Sequence, residues 1–267
     1  MSSGSVLNIA KAELPIVRLF RKYSRRLRFR RQLDRSLRPV FIYQMGKVGS
    51  TSLYDSLTAQ YHESVLHGHG FSRKFHNWRI RLLHSVFSQG KPLDIITLTR
   101  EPVSRNISHF FQDFQHYTGK RLEEFNRLSV TEVRDLFLRH YDHELATHWF
   151  DHHIKRKFDI DIYARPMPDC GYQVYEANNV RLLLIKVELD NAVKEEAIKA
   201  FLGLEQFTIT NSNVGKKKAY GDLYLSFINQ VRLPAAYIEA MLATKYFNHF
   251  YDAETAAAVW HRWHGKE

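Results

Sequence analysis

"FIYQMGKVGSTSLYDSL" (Phe41–Leu57) decides how this chain is read. Val40–Met45 is an apolar run, expected to form the first strand. Gly46-Lys47-Val48-Gly49 makes a turn, and a helical pattern follows from about Ser50 to Gln60. Strand, small-residue turn and helix is one way to cradle a phosphate. Glycines let the backbone approach closely, and the first N–H groups of a helix lack intrahelical partners and attract an anion. Here those donors are the N–H groups of Gly49, Ser50, Thr51 and Ser52, joined by three hydroxyls and the Lys47 ammonium. The turn does not have the Walker A order Gly-x-x-x-x-Gly-Lys-Ser/Thr, because Lys47 precedes Gly49. Taken alone, the stretch is either a phosphate loop or an ordinary glycine turn before a capped helix.

A second segment bears on the choice. "LDIITLTR" (Leu93–Arg100) is a continuous apolar run ending in a basic residue, as in a buried parallel strand. Pro102 suits the first turn of a helix running through Phe114. Arg105 and Ser108 are three residues apart and share a helical face, and an arginine fork beside a hydroxyl suits a phosphate dianion.

The rest of the chain places these segments in an α/β fold. "SVLHGHG" (Ser64–Gly70) reads as a short strand or loop and Ser72–Ser88 as a helix. Helical patterns fill most of Leu122–Lys157. Two strands joined around Asn178-Asn179 form an expected hairpin. Helices return at Asn191–Phe201 and from Leu223 onward. Strands alternating with helices predict a three-layer fold, a mostly parallel sheet flanked by helices. Ligands of such sheets bind beyond the carboxyl ends of the strands, where both segments fall.

The chain has 267 residues and a net charge of +11. Residues 1–38 carry eleven Lys/Arg against Glu13 and Asp34, a net +9, which leaves only +2 for the remainder. A basic leader (1–38) therefore precedes one near-neutral domain (39–267). In the leader, Leu19, Phe20, Tyr23, Leu27, Phe29 and Leu33 are spaced among arginines. It reads as a solvated basic arm or as a helix contacting an anionic membrane peripherally. Nucleic acid is disfavoured, because the folded part lacks a basic excess. Cys170 is the single cysteine, so no internal disulfide forms, and a cytoplasmic setting is expected. No apolar run is long enough to cross a bilayer.

Together, "KVGSTS" and "REPVSRNIS" resemble the sulfotransferase family that uses 3′-phosphoadenosine 5′-phosphosulfate (PAPS). The first is similar to its loop for the 5′-phosphosulfate. The second is similar to its 3′-phosphate motif, an arginine and a serine eight residues later, here Arg100 and Ser108. "VRLLLIKVELD" followed by "AFLGL" looks like the late strand and helix of these enzymes, with their usual acidic pair altered to Glu188-Leu189-Asp190. The likeness spans about residues 40–220. It is nearest to carbohydrate sulfotransferases, including bacterial capsular polysaccharide synthesis proteins, one segment of which "WFDHHIKRKFDIDIYARP" also resembles. The likeness implies a P-loop-like fold, PAPS as co-substrate, a hydroxyl acceptor that is a saccharide or polysaccharide, and no metal requirement. It implies that Lys47, Gly49, Ser50, Thr51, Ser52, Arg100 and Ser108 hold the nucleotide. A late basic loop, Lys216, Lys217, Lys218 with Tyr220, is a further candidate, with the nucleotide contact open among Lys216, Lys217 and Lys218.

Sulfuryl transfer needs a base for the acceptor proton and a cation for the leaving phosphate. Lys47 suits the second task. "VLHGHGFS" offers His67 and His69, and imidazole titrates near neutral pH. The stretch resembles a His-Gly-His segment of uronyl 2-O-sulfotransferases whose second histidine is the base, which implies His69 as base and His67 as its support. A second cluster, His143, His148, His152 and His153, lacks the His-Glu-x-x-His order, since Thr147 stands at the second histidine position. It reads as a helix surface or acceptor wall, and Trp149 and Phe150 read as core. Two rival readings remain for the whole chain. One is a P-loop-like kinase using ATP. The other is a non-catalytic polysaccharide- or membrane-binding protein.

Overall fold

The computed structural model describes residues 15–210 and 220–265. Five strands form one sheet in the order β2-β1-β3-β5-β4. They are β1 (Val40–Tyr43), β2 (Val65–Gly68), β3 (Leu93–Thr99), β4 (Tyr172–Ala177) and β5 (Val180–Lys186). The first four in spatial order run parallel, and β4 is the antiparallel edge strand. All seven residues of β3 are buried. Successive side chains of a strand point to opposite faces, so both faces are covered at the centre of the sheet.

The expected helix at Ser50–Gln60 is present as α2, and the expected hairpin turns at Asn178-Asn179, with Ala177 opposite Val180. Asn178 takes φ 53°, a left-handed conformation that asparagine tolerates. Two expectations are corrected. The helix expected over Ser72–Ser88 is α3 (Trp78–Phe87), started by the Asn77 side chain accepting from the Arg79 N–H. The helix expected through Phe114 is α4 (Pro102–Gln112), which ends at Asp113 before the short α5 (Phe114–Thr118). Glu101 caps α4, accepting from the Val103 and Ser104 N–H groups, and Pro102 follows where its missing N–H costs nothing.

Between β3 and β4 lie α6 (Leu122–Phe125), α7 (Val130–His140), a π-helical turn (Asp151–Lys155) and α8 (Arg156–Phe158). After β5 come α9 (Asn191–Leu202), α10 (Gly221–Gln230), α11 (Ala235–Leu242), α12 (Lys245–Phe250) and α13 (Ala253–His264). Trp149 and Phe150 are buried as expected, and the Tyr43 hydroxyl meets His153 Nδ1 at 2.6 Å.

The basic leader is helical from Pro15 to Arg35, as α1. Its last turns pack on the domain: Leu33 is fully buried, and Phe29 meets Trp78 edge-on at 5.4 Å. At the strand-start end of the sheet, buried Asp94 accepts from Arg38 and Arg181, both at 2.6 Å.

Strand order fixes where a ligand fits. β1 has β2 on one side and β3 on the other. The chain leaves β1 through α2 toward β2, then returns past β1 through α3 to reach β3. Such a reversal opens a crevice beyond the carboxyl ends of the two central strands. The loops after β1, β2, β3 and β5 rim it.

Candidate functional site

Each loop follows its strand directly. The turn after β1 contains two left-handed residues, Lys47 at φ 74° and Gly49 at φ 76°. Glycine adopts that region freely, whereas a residue with a Cβ pays about 1–2 kcal/mol there. Gly49 is the N-cap of α2, so no side chain caps this helix, and its first N–H groups open toward the crevice end of the sheet. A Cβ on Gly49 would come within 3.3 Å of Val187 Cγ2, just past β5. The turn is thus pressed between strand ends.

Two arginines from the β3 side hold the turn. Arg100 donates from Nη1 to the Lys47 carbonyl at 3.1 Å. Arg105 donates from Nε to the Gly46 carbonyl at 3.1 Å and from Nη1 to the Tyr141 hydroxyl at 2.7 Å. Arg105 and Ser108, expected to share a face, are both buried. Arg105 is therefore a clasp on the loop, while Arg100 is only half-buried. The end of β3 is itself pinned by Tyr246, whose hydroxyl bonds the Thr99 hydroxyl, accepts from the Arg100 N–H at 3.2 Å and donates to the Arg100 carbonyl at 2.8 Å.

The two histidines at the end of β2 differ: His67 lies within the strand and His69 just past it. His67 Nε2 lies 2.9 Å from Ser50 Oγ and 3.1 Å from Gln44 Nε2. Burial, then its neighbour His69, lowers its pKa to about 4, so it is neutral at physiological pH. His69 is exposed, and its Nδ1 lies 3.0 Å from the Gln44 carbonyl. A carbonyl only accepts, so Nδ1 carries the proton and a neutral His69 presents Nε2 as an acceptor.

A third histidine escaped the sequence reading. His109 lies one turn beyond Arg105 on α4, and its ring packs against Gly46. Its Nδ1 is 3.2 Å from the Tyr141 hydroxyl and its Nε2 3.4 Å from Asp113 Oδ2. Burial, then the positive charges of Arg105 and Lys47, lowers its pKa to about 4. Arg105, His109 and Asp113 are spaced i, i+4, i+8, the one signal in the sequence that places them on one stripe.

Glu188 completes the rim after β5. It is open to solvent yet surrounded by protein on most sides, as on a cleft wall. Its carboxylate accepts from the Glu101 N–H at 2.9 Å and from the Tyr251 hydroxyl at 3.2 Å. Its pKa is raised, chiefly by burial.

The other candidates fall as follows. Thr51 is exposed and Ser52 half-buried at the start of α2. Lys216, Lys217 and Lys218 lie outside the described residues; Tyr220 packs on Phe111. Of the second histidine cluster, His148 and His152 are exposed, while His143 and His153 turn inward. Among the described residues no three His, Cys, Asp or Glu side chains are grouped to hold a metal ion.

No curated protein and no solved structure matches the chain. Residues 123–252, just under half of it, match the family model described as "NKWYS: Putative capsular polysaccharide synthesis protein". The matched segment supplies Tyr141, Glu188, Tyr246 and Tyr251, and the loops bearing Lys47, His69 and Arg100 precede it. The similarity to a known family is therefore to capsular polysaccharide synthesis proteins, through the part of the chain that braces the crevice.

Proposed function

We propose that this protein is a sulfotransferase that moves the sulfuryl group of PAPS to a hydroxyl of a saccharide, in a P-loop-like arrangement. The observation that carries the reading is Lys47. A lysine occupies a left-handed position beside two glycines, in a turn where glycine would cost less. Strain of this kind persists where the side chain is needed. A single ammonium at the open N-terminus of α2 suits a phosphate ester.

The remaining residues fit the ligand. The first N–H groups of α2 and the Ser50–Ser52 segment would take the 5′-phosphosulfate. Arg100 would take the 3′-phosphate, with Ser108 nearby in sequence on α4. In transfer, the acceptor oxygen forms a bond to sulfur as the bond from sulfur to the bridging phosphate oxygen breaks. The acceptor proton goes to His69 Nε2, and Lys47 meets the charge left on the phosphate. His67, held by Ser50 and Gln44, orients the loop. The match to a polysaccharide-related family supports a saccharide acceptor. The unpaired, exposed Cys170 suits a cytoplasmic setting.

Calorimetry tests the reading directly. Adenosine 3′,5′-bisphosphate should bind without magnesium and more tightly than 5′-AMP. Equal affinity for the two would overturn it, and magnesium-dependent ATP binding would favour a kinase.

A further inference from the structure

The sequence of α1 contains nine Lys/Arg against one acid, Asp34. Its second half packs along α3. Arg26 lies 5.9 Å over the Trp78 ring, Arg30 donates to Gln89 at 3.4 Å, and the Asp34 carbonyl accepts from Lys91 at 2.9 Å. These contacts follow α3 from its first residue to the turn beyond its last, so the two helices run side by side in one direction. The half of α1 before Arg26 extends past Trp78. Ile80, in the first turn of α3, lies against Gly68 at the end of β2. The half of α1 before Arg26 therefore leaves from the crevice end of the sheet.

That half is not simply polar. Leu19, Phe20 and Tyr23 are 67%, 71% and 61% exposed, and Leu27 is 40% exposed. At 100° per residue, Phe20, Tyr23 and Leu27 fall on one stripe with Leu19 at its margin. Arginines flank the stripe: Arg26 and Arg30 on one side, Arg28, Arg31 and Arg35 on the other. The second set lines a groove of about 770 Å³ together with Leu27 and Glu63. No side chain among the described residues covers the stripe.

We infer that α1 is a peripheral membrane anchor that lies in the surface of an anionic bilayer, with Leu19, Phe20, Tyr23 and Leu27 inserted and the flanking arginines on lipid phosphates. An exposed apolar stripe with cationic margins and an almost complete lack of acidic residues complements that surface in both chemistry and charge. A polyanion such as RNA would be met by the arginines alone and would leave the four apolar side chains in water. No helix among the described residues is long and apolar enough to cross a membrane, so the contact is interfacial.

The test uses the full chain and vesicles of phosphatidylcholine with or without phosphatidylserine, scored by co-sedimentation. Binding is expected to the anionic vesicles only. The combined variant Leu19→Ser, Phe20→Ser, Tyr23→Ser changes exposed residues only and should lower partitioning at least tenfold. Arg28→Gln and Arg31→Gln, both exposed at the stripe margin, should each lower it about fivefold, the worth of one basic residue at an anionic surface. In a Phe20→Trp variant, indole emission should shift to the blue when vesicles are added. Anionic binding that is abolished by salt but untouched by the serine substitutions would overturn the proposal and leave an electrostatic polyanion site. No vesicle binding, or no blue shift on binding, would also overturn it. None of these results depends on the reaction proposed for the crevice.

Discussion

Arg100 Nη1 donates to the carbonyl of Lys47 across 3.1 Å, joining the end of β3 to the turn after β1. The bond ties the Arg100 side chain, just past a buried strand, to the strained turn that carries Lys47. A nucleotide with phosphates at both ends of its ribose would engage both.

Arg100→Ala should erase most of the preference for adenosine 3′,5′-bisphosphate over 5′-AMP. A charge-assisted contact contributes about 1.5–3 kcal/mol, or roughly ten- to hundredfold in affinity. Calorimetry on both nucleotides separates this from a general loosening of the turn, which would weaken the two alike.

Lys47→Gly should separate stability from activity. Glycine relieves the left-handed strain, so thermal stability should hold or rise by up to about 1 kcal/mol. Sulfuryl transfer from PAPS should collapse for want of the ammonium. Single-turnover assays beside thermal melts report both. A melt lowered by several degrees would show that Lys47 serves the fold.

His69→Ala should abolish turnover with nucleotide affinity nearly unchanged, since the ring is exposed and its Nδ1 meets the Gln44 carbonyl. In the wild type, turnover should fall at acid pH, because a protonated imidazole accepts no proton. His67→Ala should act more mildly, through the freed Ser50 hydroxyl. A dead His67 variant beside an active His69 variant would reverse the two roles.

Acid should destabilise the fold below about pH 6.5. The pKa values of His67, His109 and His153 are each lowered from 6.5 to about 4, first by burial. Between those values the unfolded chain binds more protons than the native one. Stability is therefore full above pH 6.5 and drains as the pH falls toward 4, by roughly 1–3 kcal/mol for each group. Denaturant melts from pH 7 to 4.5 measure the slope, which should flatten in a His109→Gln variant.

Tyr246→Phe should cost about 1–3 kcal/mol of stability, because it leaves the buried Thr99 hydroxyl and the Arg100 backbone with fewer partners. Nucleotide affinity should fall with it, and by much less in an Arg100→Ala background. Independent effects in the double variant would show that Tyr246 does not act through Arg100.

Period and punctuation in the sequence were enough for β3, α2 and the Asn178-Asn179 hairpin. A seven-residue run rich in leucine and isoleucine, a Ser-Thr-Ser start after glycine and a paired asparagine turn are local signals, and local backbone preference decides them. The segments of Lys47, His69 and Arg100 were also legible, because each follows a strand and strand ends are where α/β sheets bind ligands. Their mutual arrangement was not. The left-handed φ of Lys47, the clasp of Arg105 on Gly46 and the commitment of His67 to Ser50 depend on contacts between residues far apart in the chain. His109 was hidden for the same reason: only the packing of α4 against the Gly46 turn sets its ring beside that loop. Tyr246 and Glu188 reach the site from nearly 150 and 90 residues beyond Arg100 in the chain. Local sequence determines where a helix starts and a strand stops. Which hydroxyl or carboxylate meets a given strand end is settled by the closure of the whole core around the sheet.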